Sequence, residues 1–137
     1  MINFKDESER VSFVFLHKAL LMIFLDMSVY AEEKHGVDLV VTDTISNPLK
    51  DKKLGRTSDS HQMGICIDFR TRDIDPFVLQ DIIDYIESKP EYEKYKYLSY
   101  SGEKRLVYIH NNGNGEHGHM GINRKYAREK LYNLLEN

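Results

Sequence analysis

Apolar residues recur along the chain with two different periods, and the changes of period divide it into elements. Val11, Phe15, Ala19, Met22 and Leu25 repeat at helical spacing, and the pattern continues to about Lys34. Asp6 to Arg10 places acidic residues and Ser8 at the opening end, where a positive helix N-terminus favours them. Gly36 is suited to terminate the helix. One long helix is therefore predicted. Val37 to Thr44, rich in Val and Thr, predicts a strand. Ile45 to Ser60 is polar, carries Pro48 and Gly55, and reads as a long loop. Ile65, Cys66, Ile67 and Phe69 predict a short buried strand.

Asp75-Pro76 opens a second helix, with Phe77, Leu79, Ile82, Ile83 and Ile86 on its period and Pro90 ending it. Tyr95 to Tyr100 and Lys104 to His110 predict two strands joined at Ser101-Gly102. Asn111 to Gly115 predicts a turn, His117 to Ile122 a short strand, and Arg124 to Glu136 a closing helix with Tyr126, Leu131, Leu134 and Leu135 inward. The order predicts a single α+β domain over residues 1–137, an antiparallel sheet packed with helices.

Composition narrows the function classes. The chain has 137 residues, enough for one core without staples. With 30% charged and 41% hydrophobic residues, it is neither a disordered chain nor a multi-span membrane protein. A net charge of −3 lacks the basic surplus of a dedicated nucleic-acid binder, so no nucleic-acid partner is expected. The apolar stretch from Val11 to Ala31 is interrupted by His17, Lys18 and Asp26. Charges at the centre of a membrane span cost ~2.5–3.5 kcal/mol each. A buried core helix and no stable membrane insertion are expected. The opening MINFKDESER lacks the basic-then-apolar order of a signal peptide, which predicts synthesis in the cytoplasm.

Cys66 is the one cysteine, so a Cys-rich zinc site is excluded and any metal site must use His and carboxylate. In its apolar run Cys66 reads as an inert packed thiol.

Two segments concentrate metal-ligand residue types: Ser58 to Asp68, with His61, and Gly115 to His119, with Glu116 and two histidines. On a straight strand His61 and Asp68 would lie ~23 Å apart on opposite faces. They can share a metal only if the chain turns between them, and Gly64 is where a turn is cheap. His117 and His119 are two apart and share a face of a strand. Two histidines and one carboxylate suit zinc and leave a position open for water, whose pKa zinc brings down to about 7. Glu116 or His117 is the candidate to take and return protons.

These residues resemble the zinc D-alanyl-D-alanine peptidase family, which includes bacterial D,D-carboxypeptidases and phage L-alanyl-D-glutamate endolysins and shares the hedgehog/DD-peptidase fold. Its first motif is Ser-x-His-x-x-Gly-x-Ala-x-Asp; its second is His-x-His, or an acid three residues before the last His. His61, Gly64 and Asp68 match the first motif in spacing; His117 and His119 match the second, with Glu116 at the acid's place. Asp59 stands at the motif's Ser and Cys66 at its Ala. The stretch LGRTSDSHQMGICIDFRTR looks most like small phage-encoded members. The resemblance implies that zinc is held by His61, Asp68 and His119, that Glu116 is the general base, and that His117 supports the transition state. It also implies that the substrate is a peptide bond of the peptidoglycan stem and that the protein acts at the cell wall, after phage-type release. Arg56 or Arg70 would clamp a substrate carboxylate, since guanidinium binds carboxylates bidentately.

The other histidines read more plainly: His17 as a core or boundary residue, His35 as a helix-end charge, His110 as a turn residue. Tyr92, Tyr95, Tyr97 and Tyr100 with Lys94 and Lys96 read as one packed sheet face. Two other functions compete with the peptidase: a zinc-stabilised binding or phage structural protein without turnover, and a nucleic-acid module built on the Tyr/Lys segment.

Overall fold

A computed structural model describes residues 1–99, 101–111 and 115–127. In chain order it contains β1 (Asn3–Phe4), α1 (Glu7–Phe13), α2 (Lys18–His35), β2 (Val40–Asp43), α3 (Pro48–Lys53), β3 (Cys66–Arg70), α4 (Pro76–Glu87), β4 (Tyr97–Leu98), β5 (Lys104–Arg105), β6 (Val107–Asn111) and β7 (Glu116–Gly121). Short 3-10 turns occupy Ser60–Met63, Pro90–Tyr95 and Arg124–Tyr126. The main sheet runs β1-β2-β3-β7-β6, and β4 and β5 form a separate hairpin.

The fold is mixed α and β, as the order of elements predicts, but the sheet is not wholly antiparallel. β2, β3, β7 and β6 are antiparallel neighbours, whereas β1 pairs with β2 in parallel. The cause is connectivity: two helices lie between β1 and β2, and a helical crossover returns the chain in the same direction.

The predicted single N-terminal helix is two helices set at 120°. His17 breaks it. Its backbone leaves the helical region (ψ 136), and its Nδ1 accepts the Ala19 N–H at 3.0 Å as the cap of α2. The inward face also differs from the one the spacing suggests. Leu20, Ile23, Phe24, Met27 and Ala31 are buried, while Val11, Phe15, Met22 and Leu25 are exposed. Apolar residues surround α2 on every side, so spacing alone does not give its phase. Gly36 ends α2 as expected, in the left-handed region at φ 65. Among the described residues no single helix is long and apolar enough to cross a membrane.

The segment expected to be loop holds α3, opened by an Asn47 side chain that accepts the Lys50 N–H, with Pro48 in the first turn. α4 ends at Glu87 with Ser88 as its cap, ahead of Pro90 as expected, and Pro90 also opens the following 3-10 turn. Of the predicted closing helix, Arg124–Tyr126 is a 3-10 turn; the remainder from residue 128, with Leu131, Leu134 and Leu135, lies outside the described residues, as do Tyr100 and residues 112–114.

α2 and α4 cover one face of the sheet. Phe24 meets Phe69 edge-on at 6.0 Å, and Leu79, Ile82, Ile83 and Ile86 of α4 join the same core as Ile67, Met120 and Val107. Strand alternation therefore turns Cys66, Asp68 and Arg70 of β3 to the other face. The tyrosines pack among themselves and the core: Tyr92 Oη donates to Asp26, Tyr95 tilts on Tyr126, and Tyr97 on Tyr108.

Candidate metal centre

β3 and β7 pair in unbroken register, with Cys66 opposite Gly121, Asp68 opposite His119 and Arg70 opposite His117. β6 continues the rows: Tyr108 lies opposite His119, and His110 opposite His117. Cys66, Asp68, Arg70, His110, His117 and His119 thus share the face that the helices leave uncovered. His61 reaches it from another direction. The Ser60–Met63 turn ends at Gly64 in the left-handed region (φ 67), the bend the sequence required, and the chain doubles back into β3.

The result is a convergence on one carboxylate. His61 Nε2 lies 3.3 Å from Asp68 Oδ1, and His119 Nδ1 lies 2.8 Å from the same oxygen. The two imidazoles meet edge-on at 5.5 Å. His61 and Asp68 are almost fully buried. His61 Nδ1 donates to the Thr44 carbonyl at 2.7 Å. That bond fixes the ring and leaves Nε2 facing a carboxylate oxygen, an arrangement that is favourable only with a positive charge between them, a proton or a metal ion. The donor set therefore fits a divalent cation.

The electrostatics follow from the same packing. Burial opposes charge on both imidazoles, but Cys66 and Asp68 override it: His61 is held well above its ordinary value and His119 is raised to about 9. Burial would raise Cys66; His61 and His119 instead bring it down to about 6. Burial likewise pushes Asp68 up, and the two imidazoles pull it well below the carboxylate range.

Arg56 does not clamp a ligand here. It is turned inward at 13% side-chain exposure, bonded to Asp43, to Asp51 (3.0 Å) and to Asp68 Oδ2 (3.1 Å). A bulge in the β2–β3 pairing sets Asp43 beside Asp68, and a guanidinium is the group that lets two buried carboxylates be neighbours. Asp43, His61 and Asp68 also lie within metal-ligand reach of one another. Arg56 bonds both carboxylates and Lys50 pairs with Asp43 at 2.6 Å, so that grouping already has cations beside it. Arg70 differs: among the described residues no carboxylate pairs with it. With Arg72, Lys5 and His117 it lines an open depression of about 670 Å³ beside Asp68.

Glu116 opens β7 opposite Asn111, one residue from His117. Alternation turns its side chain away from those of His117 and His119, yet Glu116 lines the same depression as Asp68, Arg70 and His117. His117 is on the cluster's face, its Nε2 3.8 Å from Asp68 Oδ2, and its Nδ1 donates to the Gly115 carbonyl at 3.1 Å. His110 is a strand residue rather than a turn residue, and its ring lies 4.3 Å from that of His117. Burial and the neighbouring histidines lower its pKa. Cys66 is the residue that sequence reasoning set aside: ligand atoms of His61, Cys66 and His119 all lie within 4.8 Å of one another. The signal was its place two residues before Asp68, hence on the same face. No protein-family model, no curated protein and no solved structure matches this chain.

Proposed function

We propose that this protein is a zinc-dependent peptidase acting on the peptide stems of peptidoglycan. The observation that carries the reading is the meeting of His61 Nε2 and His119 Nδ1 on one oxygen of Asp68, from segments far apart in the chain. The motif spacing around His61, Gly64, Asp68, His117 and His119 adds support.

His61, Asp68 and His119 would hold the ion. Bound zinc polarises a carbonyl and makes hydroxide available near neutral pH. The chain's own residues do the rest. The Thr44 carbonyl holds the His61 ring, and Arg56 holds Asp68. Arg70, at the edge of the depression, offers a guanidinium to a substrate carboxylate. His117 has committed Nδ1 to Gly115, so Nε2 is the nitrogen that accepts a proton and returns it to a leaving amine.

A zinc-stabilised binding protein without turnover is the second reading. The strand alternation that turns Glu116 away from His117 favours it, because the acid that the resemblance makes the base then lines the depression without being aimed at the ion's ligands. The test is release of stem peptides from several wall types, followed by mass spectrometry, with zinc and after chelation. Zinc-dependent release supports the peptidase. Tight zinc binding without release from any wall supports the second reading, and failure to bind zinc overturns both.

A further inference from the structure

We propose that Cys66 is a metal ligand: its thiolate bonds the ion that His61 and His119 hold. The proposal rests on the metal reading above and changes the donor set that reading assigns.

Three observations carry it. The first is distance. In a tetrahedral zinc site, bonds of ~2.3 Å to sulfur and ~2.0–2.1 Å to nitrogen place the two donors about 3.5 Å apart. The ligand atoms of His61, Cys66 and His119 already lie within 4.8 Å of one another, so a small side-chain adjustment closes the set. The second is direction. Cys66 and Asp68 are two apart on β3 and share its open face, and Cys66 faces Gly121, which has no side chain to separate the sulfur from the cluster. The Cys66 Sγ–H now donates to Ser60 Oγ at 3.2 Å, next to His61 in the chain. Binding exchanges that proton, released to solvent, for a metal–sulfur bond.

The third observation is an unmet polar atom in the wall. The Tyr97 ring lies over Gly121, where a Cβ would come within 3.0 Å of it, and stands 6.2 Å from the His119 ring. Its hydroxyl is buried with no hydrogen-bond partner among the described residues. A buried hydroxyl without a partner calls for one, and an ion with an open position at this cluster would bring a water to fill that need.

A thiolate ligand has consequences for chemistry. With Asp68 also bound, His61, Cys66, Asp68 and His119 complete a closed four-coordinate set of the structural kind. With Asp68 accepting the His119 Nδ1–H at its present 2.8 Å, the carboxylate orients the imidazole, and one position stays open. In both arrangements sulfur softens the site toward zinc or cobalt and away from magnesium or calcium.

The test uses Co(II) added to the metal-free full chain, with Cys66→Ala and Cys66→Ser alongside. Wild type is expected to show both visible ligand-field bands and a near-ultraviolet thiolate-to-cobalt band. Both variants should keep the visible bands, lose the near-ultraviolet band, and bind zinc at least about tenfold more weakly in chelator competition, since even outer-shell losses cost ~10–100-fold. Circular dichroism checks that the variants are folded, and His61→Ala should remove both bands. Wild type with visible bands and no near-ultraviolet band overturns the proposal while leaving the metal site standing. Wild type with no cobalt spectrum overturns both.

Discussion

The ring of Phe69 occupies the space that a side chain on Gly118 would need: a Cβ at Gly118 would fall 2.2 Å from Phe69 Cζ. Gly118 stands between His117 and His119, and Phe69 follows Asp68. The Phe69 ring therefore packs directly over Gly118 on the core face of the two strands that carry the candidate ligands. Gly118→Ala must displace the ring or the strand. Overpacking of this kind costs ~1–3 kcal/mol, and metal affinity should fall with stability. Urea unfolding and zinc titration check this; wild-type values in both would show that the ring yields freely.

Arg56 is the second support. Replacing it with Ala removes the guanidinium that Asp43, Asp51 and Asp68 share in a buried setting, leaving Asp43 to Lys50, Asp51 to Ser46 and Gln62, and Asp68 to two imidazoles. Removing one partner of such a network costs ~3–5 kcal/mol. Arg56→Lys retains the charge but not the fork, and should fall between the two. Denaturant midpoints measure the order. An Arg56→Ala protein as stable as wild type would mean that the three carboxylates reach solvent or protonate without penalty.

Much of this architecture was legible because it depends on local chemistry. Gly36 and Gly64 read correctly as turns, since each sits at positive φ, where glycine is favoured. The sharing of a face by His117 and His119 follows from strand alternation alone. The break at His17 was hidden because apolar residues on both sides imitate one helix. Asn47-Pro48 is a helix opening that the surrounding lysines and Gly55 obscured. Arg56 read as a clamp for a substrate carboxylate because its three internal partners come from β2, α3 and β3, which no spacing rule connects. The role of Cys66 was hidden by composition: one cysteine argues against a thiolate site only when sulfur is required to supply every ligand.

Metal removal should act locally. The α2–α4 core contains Leu20, Ile23, Phe24, Ile82 and Ile86, all fully buried and none of them a candidate ligand. An ion that binds only the folded state adds about 2.7 kcal/mol at a hundredfold excess over Kd. A chelator should therefore lower Tm and speed amide exchange in β3, β7 and Ser60–Met63, while α2 and α4 remain protected. Loss of protection throughout the chain at room temperature would contradict this.

Glu9 gives a pH dependence of known sign. It is buried in α1; Thr44 Oγ1 donates to its Oε1 at 3.2 Å, Lys50 lies 3.8 Å away, and Oε2 has no hydrogen-bond partner among the described residues. Burial raises its pKa against the pull of Lys50. A group raised on folding stabilises the fold below its unfolded value, about 4.3 for Glu, and that contribution is lost as pH rises through the folded value. Glu9→Gln should therefore be more stable than wild type near pH 7 and equal to it at about pH 4. Thermal unfolding at the two pH values reads the difference, and a variant less stable than wild type near neutrality would reverse the sign.

Glu116 and His117 are adjacent in sequence and opposite in orientation, so substitution separates their roles. If proton transfer runs through the cluster's face, Glu116→Gln changes stem-peptide hydrolysis by no more than about threefold, whereas His117→Ala lowers kcat by ~10²–10⁴, the usual contribution of a positioned acid–base group. His117 also lies within ligand reach of Asp68 and His110; if the ion is held by His61 and His119, zinc affinity should survive the loss of His117 within about tenfold. The pairing of lost kcat with retained metal distinguishes proton transfer from a ligand role. The opposite pattern, a large loss in Glu116→Gln with His117→Ala near wild type, would require β7 to twist by one residue at its start when substrate binds. Gly115, at φ 95 just before Glu116, is the hinge at which such a twist would occur.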